Sequence, residues 1–224
     1  MTKEVFFYDT IIAEKEMEEM KKEKKLDVVF ILDKSGSMGG QEENTISSFN
    51  EYLEKEGKNK YKTYISTILF SNNYTILHDR EDVSKVKKLT EKDYYVEGCT
   101  ALYDALGNTI NNMRAKDTDK VLFIIITDGY ENASKEYKKE DIKKLIKENS
   151  NYEFIYIGAD IDSYAAGNEI GIKRTNIANF KKDRKGTAKL FKAVGCFEGA
   201  MMGDQMVKAC WKKELDEYMK GNDK

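Results

Sequence analysis

Two stretches of the chain are apolar without alternation, Val28–Leu32 (VVFIL) and Val121–Thr127 (VLFIIIT), which suits strands covered on both faces in a parallel sheet. Apolar residues at helical spacing follow the first of them, at Ile46, Phe49 and Leu53, and predict a helix over Glu42–Leu53. Tyr61–Phe70 and Tyr74–Leu77, separated by Ser71-Asn72-Asn73, read as a hairpin whose second strand runs antiparallel at a sheet edge, where it carries the one histidine, His78, as a surface group. Val83–Leu89 reads as a short helix or turn. Leu102, Leu106, Ile110 and Met113 predict a helix over Thr100–Met113, with Thr100 placed to cap it. The second half continues with a helix at Glu140–Ile146, a strand at Tyr152–Gly158, a helix at Ser163–Ile170 and a last strand at Lys173–Ile177.

Strands alternating with helices of this length imply crossover connections, so the expected fold is α/β: a doubly wound, mostly parallel sheet flanked by helices, with one antiparallel edge strand. From about Gly186 to Tyr218 a single long helical segment is expected, with Leu190, Val194, Phe197 and Met201 on its core stripe and Trp211 anchoring its far end. Gly195, Gly199 and Gly203 recur on a neighbouring face, and close packing against the domain is expected there.

At 224 residues the chain suits one large domain, expected over residues 26–224, with residues 1–25 an extension containing a short apolar patch, Val5–Tyr8, and a run of mixed charge. Hydrophobic residues at 40% and charged residues at 35% describe a densely charged surface, and a net charge of −2 gives no general attraction to nucleic acid. Lys181 and Lys182 accordingly read as solvated surface. No apolar stretch reaches the length of a membrane span, and the N-terminus lacks the apolar core of a signal peptide, so a cytosolic location is expected. Cys99, Cys196 and Cys210 are odd in number and lack C-x-x-C spacing, which argues for reduced thiols rather than a disulfide framework or zinc site.

The chemistry gathers where the apolar runs stop. Val28–Leu32 gives way to Asp33, Ser35 and Ser37 with Gly36 between the serines, a turn carrying one carboxylate and two hydroxyls. Such a hard-oxygen set suits Mg²⁺ or Mn²⁺ rather than a soft metal. The D-x-S-x-S spacing resembles the metal-ion-dependent adhesion site of von Willebrand factor type A domains. Gly98–Ala105 (GCTALYDA) is similar to that family's second loop, and Ile124–Gly129 (IIITDG) to its third, so three loops occur in the family's order across Leu26–Ile177.

The resemblance implies that Ser35, Ser37 and Thr100 supply hydroxyl oxygens while Asp33 and Asp128 hold the ion directly or through water. It also implies that the ion, Mg²⁺ with Mn²⁺ or Ca²⁺ as alternatives, accepts an Asp or Glu carboxylate from a protein partner. No catalytic residue, nucleic-acid partner or membrane partner is expected, and the oligomeric state is left open. Met38, Gln41, Tyr130, Glu131 and Asn132 would form the rim, and Cys99, where many relatives carry glycine, reads as a small buried residue. Two other readings stand beside this one: a structural domain whose site stays empty, and a Mg²⁺-dependent phosphoryl-transfer or hydrolytic enzyme. The latter would want a second acid two residues after Asp33, where Ser35 stands, and neither a P-loop pattern nor H-E-x-x-H occurs.

Overall fold

The computed structural model describes residues 23–113, 118–203 and 209–221. Its strands are β1 (Lys25–Asp33), β2 (Lys62–Phe70), β3 (Tyr74–Asp82), β4 (Lys120–Thr127), β5 (Tyr152–Gly158) and β6 (Ile177–Asn179). Its helices are α1 (Glu42–Glu56), α2 (Leu102–Asn112), α3 (Lys139–Glu148), α4 (Ser163–Glu169), α5 (Arg184–Met202) and α6 (Lys213–Met219). The strands form one sheet in the order β3-β2-β1-β4-β5-β6, parallel throughout except for the antiparallel edge strand β3. The doubly wound architecture expected from the pattern is therefore the one observed.

The unbroken apolar runs serve two helical layers at once, because successive strand side chains leave opposite faces of the sheet. Val28, Phe30 and Leu32 point to the layer holding Phe49, Phe191 and Phe197, while Val29 and Ile31 point to the layer holding Leu102, Leu106, Ile110 and Ile142. In the first layer the Phe30 ring stands edge-on to Phe49 and Tyr52, at centroid distances of 5.2 and 5.1 Å. A polar group is set between α1 and α5 in this same layer. The Tyr52 hydroxyl donates to Glu198 Oε1 at 2.8 Å, Glu198 Oε2 is buried without a hydrogen-bond partner among the described residues, and the Glu56 carboxyl lies near enough for its charge to act on Glu198. Burial pushes the Glu198 and Glu56 carboxyls up from the ordinary glutamate range, and the Glu56 charge adds to the push on Glu198.

Four local expectations are corrected. The last strand begins at Ile177, because Lys173–Asn176 turns through a 3₁₀ segment and Asn176 Nδ2, rather than a backbone N–H, donates to the Phe154 carbonyl at 3.1 Å. The long C-terminal helix is two pieces: α5 ends at Met202 before Gly203, and a 3₁₀ turn, Ala209–Lys212, leads into α6. Trp211 does anchor this end, donating Nε1–H to the Thr175 carbonyl at 2.9 Å and standing edge-on to Phe197 at 5.4 Å. Gly195 and Gly199 make no close approach, since a Cβ at either would meet nothing within 4 Å.

The fourth concerns His78, which is buried rather than on the surface and shares a 3.0 Å hydrogen bond with Thr67 Oγ1. A register shift in β2–β3 beside Thr67 turns it inward. Residues 1–22 of the expected N-terminal extension, 1–25, lie outside the described residues, and β1 begins at Lys25. Among those described, no helix is long and apolar enough to cross a membrane.

Candidate metal centre

The sheet order brings the candidate acids together at the carboxyl ends of the strands, where ligands bind in open α/β folds. β1 and β4 are parallel neighbours with Leu32 opposite Ile126, so Asp33 lies beside Thr127, and Asp128 follows directly. Asp33 is fully buried. Its Oδ1 accepts from the Ser35 N–H at 2.7 Å and its Oδ2 from the Thr127 hydroxyl at 2.6 Å, while the Tyr94 hydroxyl donates to its carbonyl at 2.5 Å. Burial pushes the Asp33 carboxyl up, the bonds from Thr127 and Ser35 pull it down, and the nearby Asp128 charge adds to the upward push.

Gly36–Met38 forms a 3₁₀ turn that carries Ser37 over the strand ends. The Ser35 and Ser37 hydroxyls lie 3.1 Å apart, and Ser37 Oγ donates to Asp128 Oδ1 at 2.5 Å. Thr100 enters from the loop before α2, whose start is fixed by the Ala101 N–H donating to the Ser71 carbonyl at 2.8 Å. Asn132 clamps Thr100 from the other side: its Oδ1 accepts the Thr100 N–H at 2.9 Å, and its own N–H donates to the Thr100 carbonyl at 3.0 Å. Gly129 is required at this point. A Cβ there would sit 2.7 Å from Thr100 Oγ1 and 3.4 Å from Ser37 Oγ.

Asp33, Ser35, Ser37, Thr100 and Asp128 thus come from three separate loops to one place. Four of them are buried, and Ser37 is exposed. Their chemistry, two carboxylates and three hydroxyls with glycine leaving room between them, fits a hard divalent cation. Among the described residues, no group of three or more His, Cys, Asp or Glu side chains is placed to hold a metal. The set would accordingly leave a bound dication with charge and coordination positions to spare.

Two contributors escaped the sequence reading. Thr127, inside the third motif, is the donor that orients Asp33. Lys182, read as solvated surface, reaches into the centre: its Nζ donates to Asp128 Oδ2 at 3.0 Å and to Asp160 Oδ2 at 2.8 Å, and lies 3.4 Å from the Ser37 carbonyl. These bonds, Asp160 first, hold its ammonium above the ordinary lysine range. Asp160 follows the apolar strand β5 two residues beyond its end at Gly158, a signal that could have found it; nothing in the local pattern marks Lys182.

The expected rim is corrected as well. Met38 is buried, Glu131 accepts the backbone N–H groups of Tyr103, Ala133 and Ser134, and Gln41 Nε2 donates to the Lys182 carbonyl at 3.0 Å. Of that set Tyr130, 56% exposed, and Asn132 stay on the surface. Cys99 is exposed, not buried. Beside the centre a polar cleft is lined by Lys34, Asn72, Asn73, Tyr95 and Glu97, with the Lys34 ammonium 2.5 Å from Glu97 and 4.3 Å from the Tyr95 ring centre.

The family model of the von Willebrand factor type A domain matches residues 27–193. The chain belongs to that family. Its members are typically protein-interaction modules. A search of curated proteins found no match. Among solved structures, this von Willebrand factor type A chain is similar to the vWF domain of the type V pili tip protein Mfa5 from Porphyromonas gingivalis, at 13% identity and a TM-score of 0.62, covering 84% of this chain and 98% of that one.

The PilB minor pilin from Streptococcus sanguinis gives 9% identity and a TM-score of 0.61, over 83% and 63% of the two chains. Proximal thread matrix protein 1 from the mussel byssus gives 17% identity and a TM-score of 0.58, over 77% of this chain and 45% of that one, and has also been solved with zinc in its adhesion-site motif. The chain therefore spans less than half the length of the mussel protein it matches. At these identities the likenesses establish the fold.

Proposed function

We propose that the domain is a metal-dependent protein-binding module, in which Asp33, Ser35, Ser37, Thr100 and Asp128 hold a divalent cation that receives an Asp or Glu carboxylate of a partner protein. The observation that carries this reading is the convergence of those five side chains at the carboxyl ends of β1 and β4. Mg²⁺ is the preferred ion, because it takes about six oxygens near octahedral geometry and usually keeps several waters. Mn²⁺ and Ca²⁺ suit the same donors less selectively. The ion would supply a Lewis-acidic point at the surface, and the protein residues would fix its position.

Binding rather than catalysis is the assignment because members of the family are typically protein-interaction modules. His78, the one histidine, lies mid-strand in β3 against Thr67, away from the strand ends where the acids meet. The zinc-containing mussel structure supports the metal reading by analogy at the level of the fold.

The test is a calorimetric titration of chelator-stripped protein with Mg²⁺, Mn²⁺ and Ca²⁺, run beside Asp33→Ala. Saturable binding that the variant loses, while its circular dichroism stays native, is expected. Retained binding in Asp33→Ala would reject the assigned ligand set. A partner captured equally well with and without chelator would reject metal-dependent recognition.

A further inference from the structure

We propose that Lys182 is a tethered cation that competes with the divalent ion for Asp128, so that metal enters by displacing the lysine. The inference rests on the metal-binding reading and names how that same site is controlled. Its first support is coverage. The Asp128 side chain is 0% exposed, with Oδ1 taken by Ser37 and Oδ2 by Lys182. A dication at Oδ2 would be repelled by the ammonium held on the same carboxylate at 3.0 Å, so the two compete for it.

The second support is that the lysine is built in rather than adrift. Its carbonyl accepts from Gln41 Nε2 at 3.0 Å, which ties the β6–α5 connection to the segment just after the first ligand loop. The third is that it has somewhere to go. Asp160, 68% exposed, already holds the ammonium at 2.8 Å and can keep it once Asp128 is taken. Asp160 sits at φ 55°, in the left-handed region that aspartate tolerates better than most residues. Sheet order explains the row: Asp33, Asp128, Asp160 and Lys182 follow β1, β4, β5 and β6, which are successive neighbours. The fold thus supplies its own monovalent occupant for a carboxylate assigned to the metal.

The experiment is a titration of Mg²⁺ and Mn²⁺ into wild type, Lys182→Met, Lys182→Arg, Lys181→Met and Asp33→Ala. Lys181 is the control because its ammonium lies over the Tyr218 ring, 4.8 Å from the centre, and it removes the same charge one residue away. The Asp128 pair that the metal must break in wild type is absent in Lys182→Met, so its ion affinity is expected to rise roughly two- to fivefold. Lys182→Arg should stay within about twofold of wild type, on the order of the error in such pair energies, and Lys181→Met likewise. Equal affinity in Lys182→Met and wild type, with binding lost in Asp33→Ala, overturns the competition while leaving the metal site standing. An equal gain in Lys181→Met overturns it too, as a general charge effect. Absence of binding in every protein rejects the metal reading and the competition together.

Discussion

The Tyr52–Glu198–Glu56 group makes a prediction about stability against pH. Glu198 Oε1 accepts from Tyr52, and no donor among the described residues faces its Oε2. A buried carboxylate oxygen without a donor disfavours the charged form, so we place a proton on Glu198, the more deeply buried acid. Unfolded, both side chains would ionise near the ordinary glutamate value of 4.5. Folded, Glu198 is raised well above it, chiefly by burial and then by the Glu56 charge. Between those two pKa values the native state binds more protons than the unfolded state, so stability falls as pH rises through the window. A one-proton difference gives a slope of about 1.4 kcal/mol per pH unit.

Glu198→Gln removes this slope while keeping the Tyr52 contact, because the amide carbonyl still accepts from Tyr52 and the amide does not ionise. The assay is urea unfolding of wild type and variant at unit steps from pH 4 to pH 8. Near pH 4 the two should be similar, and the variant should become progressively more stable than wild type towards pH 8. Parallel pH profiles, or a variant less stable than wild type at pH 8, would refute the proton assignment.

Gly129→Ala should push the Thr100 hydroxyl aside, weakening Mn²⁺ binding at least several-fold in calorimetry and lowering stability by about 1–3 kcal/mol, as overpacking does. Gly195→Ala and Gly199→Ala point into open space from a helix and should each raise stability by about 0.5–1 kcal/mol in urea melts; a loss would mean that these positions do pack closely. Trp211→Ala should cost about 3–5 kcal/mol, read from the same melts, because the ring is buried against Phe197 and its N–H holds the Thr175 carbonyl. Cys99, Cys196 and Cys210 should all react promptly with a thiol reagent in the native protein, and protection of Cys99 would contradict its exposed position.

The layered α/β fold and the three loops that carry the candidate ligands were legible along the chain, because both are local signals. An unbroken apolar run such as Val28–Leu32 suits a strand buried on both faces, and an acid placed where that run stops then sits at a strand end. The antiparallel edge strand was legible for the same reason, from the Ser71-Asn72-Asn73 turn. What the tertiary structure decided depends on neighbours remote in the chain. His78 is turned inward by a register shift against β2, Cys99 is left on the surface by a loop held to Asn72, and the 186–220 segment breaks because Trp211 must reach Thr175. Lys182 is the sharpest case. It stands 54 residues from Asp128, in a lysine pair indistinguishable from surface, and only the adjacency of β4, β5 and β6 brings its charge to the centre.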